Sequence, residues 1–114
     1  MSRKQLTEYD KKRELIKSDL LEQLHKNGIK GSQFIDLIDD YMSLWDLKNK
    51  LIQDIDERGA MISWNNGGGQ HGMKKNDSVA ELPKVNKQML SLLKELGLQA
   101  VVVKVDDTDD VEDV

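Results

Sequence analysis

Cysteine is absent from the chain, so neither a disulfide framework nor a thiolate metal site is open to it. Histidine occurs only as His25 and His71, far apart in sequence, which leaves metal chemistry little to work with. Proline occurs once and aromatic residues make up 4% of the chain, against 38% hydrophobic and 33% charged residues. That profile belongs to a long-helix protein rather than a β-sandwich, and the expected fold class is all-α. No run approaches the roughly 20 apolar residues that a bilayer-spanning helix needs, and the opening MSRKQLTEYDKKR has no apolar segment for secretion. An intracellular protein is expected, in which the sequon Asn76-Asp77-Ser78 never meets the glycosylation machinery.

What is present is charge, unevenly placed. The formal net charge is −4, yet residues 1–30 carry eight Lys or Arg against five acids, whereas residues 104–114 carry six acids against one lysine. The acidic end reads as a solvated tail or as a docking segment for a basic partner. With 114 residues there is room for one domain, and its core is marginal if both ends are mobile, so partners are expected.

Three helices follow from periodicity. Over 4–27, Tyr9, Ile16, Leu20 and Leu24 form an apolar stripe that Leu21 widens, and Asn27-Gly28 supplies a left-handed stop. Ser32 is a good N-cap for a second helix running to about Arg58, with Gly59 ending it. Along it Leu37, Leu44 and Leu51 repeat every seven residues, as do Ile38, Trp45 and Ile52. Such a helix is roughly 40 Å long, too long for one short partner to cover both rows. Part of that face should therefore meet another subunit, the alternative being that the flanking helices cover it within one chain. Ser78 and Glu81 form a capping-box pattern for a third helix, made awkward by Pro83; Val85, Met89, Leu92, Leu93 and Leu96 form its face and Gly97 its stop.

Between the second and third helices, residues 60–76 (AMISWNNGGGQHGMKKN) break the periodicity and read as a glycine-rich loop. A nucleotide phosphate loop is not expected: Gly67 and Gly72 have the required spacing, but Met73 follows Gly72 and no Ser or Thr follows Lys74, so a small nucleotide-binding enzyme rests only on this failed match. After Gly97, the β-branched run Val101 to Val105 favours a short strand or extended tail. The chain thus divides into a basic N-terminal helix (1–30), a helical hairpin core with its glycine-rich loop (31–98), and an extended acidic segment (99–114).

The ordered set NGGGQHGMKKNDSVAEL and NKQMLSLLKELGL, within the stretch Trp45 to Leu98, resembles the small terminase subunits of tailed phages and prophages, especially those of Gram-positive hosts. The resemblance implies a protein without chemistry of its own. It would bind double-stranded viral DNA near a packaging site, assemble into a homo-oligomeric ring and regulate the large terminase subunit in the cytoplasm of the bacterial host. LQAVVVKV departs from the pattern, since a polar, charged run is expected after Leu-Gly-Leu. The residues themselves fit the absence of chemistry: they show no catalytic constellation, no complete phosphate loop and no metal or cofactor site.

Two basic patches are candidates for phosphate contact. One is Lys4, Lys11, Lys12, Arg13 and Lys17 on the first helix; the other is Lys74 and Lys75, with Lys84 and Lys87, by the glycine-rich segment. Charge counting cannot separate them, although the consecutive Lys11, Lys12 and Arg13 favour the helix. The expected oligomer interface is Leu37, Ile38, Leu44, Trp45, Leu51 and Ile52. A competing reading, mildly favoured by the net acidity, is a structural helical adaptor that bridges proteins and never touches nucleic acid.

Overall fold

A computed structural model describes residues 6–98 of the chain. Their order is α1 (Glu8–Lys26), α2 (Ser32–Arg58), β1 (Met61–Gly67), β2 (Gln70–Lys75) and α3 (Asp77–Glu95). Lys4, the run Val101 to Val105 and the acidic tail lie outside the described residues.

α1 begins at Glu8, later than the sequence suggested, because Thr7 forms a capping box with Asp10: the Thr7 hydroxyl accepts from the Asp10 amide, and the Asp10 carboxylate accepts from the Thr7 amide. Its far end closes as expected. Gly28 takes φ +72° and the Ile29 amide reaches back to the Leu24 carbonyl, turning an apolar residue onto the core. α3 ends the same way, with Gly97 at φ +72° and the Leu98 amide donating to the Leu93 carbonyl.

Two expected N-caps differ. α2 starts at Ser32, but the cap is Gly31 at φ +130°, and no side chain caps this end. The chain arrives in a conformation that favours glycine, which leaves Ser32 one position too far along to cap. At α3 the cap is Asn76, whose side-chain oxygen accepts from the Ser78 amide at 3.0 Å. Ser78 is displaced from that role because its hydroxyl donates to Asp54 on α2 at 2.7 Å. Pro83 lies inside α3, where it removes one backbone donor without ending the helix.

The core gathers Leu20 and Leu24 from α1, Ile38, Met42 and Trp45 from α2, and Val85, Met89, Leu96 and Leu98 from α3 and its C-terminal turn. Ile38 is fully enclosed; burying a side chain of this kind contributes about 1.5–3 kcal/mol. α3 packs along α2 more extensively than α1 does.

The glycine-rich segment is not an irregular loop. It is an antiparallel β-hairpin, so the fold is mostly helical with a two-stranded sheet rather than wholly α. Gly67 pairs with Gln70 across the two-residue turn Gly68-Gly69, and all three glycines from 67 to 69 have positive φ. Left-handed backbone at both turn positions gives the reversal that matches strand twist, which is why glycines occupy the tip.

Candidate nucleic-acid interface

On α1, most of the cations expected to meet phosphate are already engaged. Arg13 grips Asp46 of α2 in a forked pair, with Nε donating at 2.9 and 3.1 Å and a terminal nitrogen at 2.9 Å. The Tyr9 hydroxyl donates to the same carboxylate at 2.6 Å, and its ring lies 4.9 Å from that of Trp45. Arg13 and then Tyr9 stabilise the charged form of Asp46 and hold its carboxyl below the usual range. Burial, then the hydrogen bond to Asp46, pushes the Tyr9 phenol up to about 12. Lys17 pairs with Asp39 at 3.0 Å and Lys11 with Glu8 at 3.6 Å. Lys12 has no acidic partner within ion-pair distance among the described residues.

The hairpin is anchored by a polar hub at its base. Asn76, wholly buried, donates to the Gly59 carbonyl at 3.0 Å and to Asp54 at 2.9 Å, while its amide donates to the Ala60 carbonyl. Asp54 also accepts from Arg58 at 2.6 and 3.1 Å and from Ser78. The Arg58 guanidinium, then Ser78 and Asn76, hold the Asp54 carboxyl far below the usual carboxylate range. A buried amide with every polar group paired fixes one geometry, so the feet of the hairpin are tied to the α2–α3 junction.

Above that base the ribbon is open. Lys74 stands opposite Ile62 and Lys75 opposite Met61, so the two lysines point to opposite faces. Neither has an acidic partner within ion-pair distance among the described residues. Met61, Trp64 and Met73 are exposed. Trp64 pairs with Gly72, and a Cβ on Gly72 would meet three adjacent indole atoms at 3.1–3.2 Å. The indole therefore packs closely over the side-chain position that Gly72 leaves empty. Of the other basic candidates, Lys84 pairs with Glu81 at 3.4 Å, and Lys87 lines a groove with Asp40, Leu44, Leu92 and Glu95.

The six residues expected at an oligomer interface do not share one open face. Ile38 and Trp45 are buried within the chain; Leu37, Leu44 and Leu51 are half-buried against its core, and Ile52 is exposed. Trp64 is the surface residue that the sequence reading passed over. Its signal was the Gly68-Gly69 pair between MISW and HGMKK, a two-residue hairpin turn.

Among the described residues no group of three or more His, Asp or Glu could hold a metal ion, and no helix is long and apolar enough to cross a membrane. Neither a curated protein nor a solved structure matches the chain. The model of the family described as phage terminase, small subunit, matches residues 18–101, a span that takes in the C-terminal part of α1 and the whole of α2, the hairpin and α3, and the chain belongs to that family.

Proposed function

We propose that this chain is the non-catalytic, DNA-handling subunit of a viral genome-packaging terminase. It works as a homo-oligomer, most simply a ring, that binds double-stranded viral DNA and regulates the large motor and nuclease subunit in the bacterial cytoplasm. Family membership supports the packaging role. The observation that carries the DNA contact is the contrast between Lys74 and Lys75, without acidic partners on an exposed ribbon, and Lys11, Arg13 and Lys17, each facing an acid. A phosphate must displace an existing acidic partner to reach Lys11, Arg13 or Lys17, but only water to reach Lys12 or the ribbon lysines. The hairpin is therefore the favoured phosphate surface, with Lys4, Lys11, Lys12, Arg13 and Lys17 as the rival. Repetition around an oligomer adds avidity to a ribbon that offers one lysine on each face.

Duplex binding by the full chain at two salt concentrations tests this. Affinity should fall steeply with salt, and Lys74→Ala/Lys75→Ala should weaken binding and flatten the salt slope by up to about 2, since each lost phosphate contact removes about 0.9. Lys11→Ala/Lys12→Ala/Arg13→Ala is the matched variant; if it alone flattens the slope, the surface is α1. No salt-dependent retention at all would favour the adaptor reading, which the net charge of −4 supports. Native mass spectrometry reads the oligomer, and a monomer at micromolar concentration would remove the ring from the proposal.

A further inference from the structure

The hairpin carries a feature that duplex phosphate contact does not use. Trp64 packs its indole against Gly72 and remains 37% exposed, on a ribbon tied at its feet. Gly72 is what permits this, because any side chain there would meet the indole at about 3.1 Å. Lys74, two residues along and paired with Ile62, shares the face of the sheet that carries Trp64, about 7 Å further along the strand.

We propose that this face is a stacking platform for an unpaired nucleobase, with the Trp64 indole taking the base and the Lys74 ammonium its phosphate. The inference rests on the reading of the chain as a DNA-binding subunit and deepens it by naming a substrate class, single-stranded or locally opened DNA. In an intact duplex each base is covered above and below by its neighbours, and its ring faces are closed to a side chain. An exposed indole face gains stacking energy only where a strand is opened, nicked or ended. A neighbouring cation adds the phosphate contact that stacking alone lacks, and the pairing is sequence-tolerant because every base offers a π face. The arrangement suits a subunit that marks the place where a duplex is opened or cut.

The test measures binding of the full chain to a labelled oligothymidylate, to the same sugar-phosphate chain without bases, and to a duplex of equal length. Oligothymidylate should quench the Trp64 part of the tryptophan fluorescence, identified as the signal lost in Trp64→Phe, while the buried Trp45 is unaffected. Trp64→Ala should weaken oligothymidylate binding about five- to hundredfold, the range for one stacked base, and leave duplex binding within about twofold. Trp64→Phe should retain most of the affinity, and the base-free strand should bind the wild type no better than oligothymidylate binds Trp64→Ala. Circular dichroism verifies that the variants keep their helices, and the quenching experiment on the wild type stands without any variant.

Equal losses for oligothymidylate and duplex, or no loss for either, would overturn the platform while leaving DNA binding intact. A change of oligomer mass in Trp64→Ala with unchanged oligothymidylate binding would overturn it too, by assigning the indole to a subunit contact. If the wild type binds neither probe, the DNA-binding reading itself fails.

Discussion

α1 and the β-hairpin both carry runs of adjacent cations, and they spend that charge in opposite ways. On α1 the acids come from other turns and from α2: Glu8, Asp39 and Asp46 sit against Lys11, Lys17 and Arg13. On the hairpin the nearest network of charge, Asp54 with Arg58, is closed on itself below the ribbon and leaves Lys74 and Lys75 out. The local net charge is therefore lower on the helix that looks more basic. A run of cations says where charge is, and only the fold says whether it is already neutralised.

The largest expected effect separates a face that packs from a ribbon that does not. Trp45→Ala should cost about 3–5 kcal/mol in chemical denaturation, since it empties a buried ring site and removes the contact that seats Tyr9. Trp64→Ala should shift stability by no more than about 0.5 kcal/mol, as expected of an exposed position. Similar losses for the two would mean that the hairpin is part of the cooperative core. Next comes the hub. Asn76→Ala leaves the Gly59 carbonyl and the Asp54 carboxylate short of a donor, and should destabilise by roughly 2 kcal/mol. Hydrogen exchange should then speed up in the hairpin amides first, with α1 still protected; the reverse order would place the anchoring of the ribbon elsewhere.

A smaller effect, about 1 kcal/mol, is expected for Asp46→Asn, because Arg13 and Asp46 are each about a third exposed and solvent screens the pair. This variant also frees Arg13, so a gain in duplex affinity would show that α1 is a phosphate surface held in reserve by its own partner. Acid should act in the same direction on Asp46 and Asp54. Both carboxyls are lowered from an ordinary 3.8, so their contribution is complete above that value and is lost as pH falls below it. The smallest effect is at the alkaline end. The Tyr9 phenol, raised from 10.0 to about 12, contributes fully below 10 and loses that contribution as pH rises toward 12. Tyrosinate absorbance should show a late-titrating group that returns toward the ordinary range in Asp46→Asn.

The helices were legible in the sequence because their burial has a period. Ile38, Met42 and Trp45 recur at four and three, and Gly28, Gly59 and Gly97 mark the ends. The hairpin was not, because a ribbon exposed on both faces has no alternation of apolar and polar residues; only its turn left a trace, in Gly68-Gly69. The α3 cap went to Asn76 over Ser78 through a bond to Asp54, 24 residues away, which no local pattern records. The engagement of Arg13 was hidden for the same reason, its partner lying 33 residues further along. Two of the six residues expected at an oligomer interface, Ile38 and Trp45, have the heptad spacing of a seam, and one chain already buries both.

The two feet of the hairpin meet at Asn76, whose backbone amide donates to the Ala60 carbonyl at 2.7 Å and whose side chain donates to the Gly59 carbonyl at 3.0 Å. To α2 and α3 the intervening residues are thus a detour that departs from and returns to nearly one point. Lengthening such a detour costs little chain entropy, roughly 0.6 kcal/mol for each doubling. The ribbon can therefore be shortened, extended or exchanged in related chains while the helices keep their packing, provided that residues are added in pairs across the strands so that each side chain keeps its face. A small protein built this way can change what its tip touches without redesigning the body that carries it.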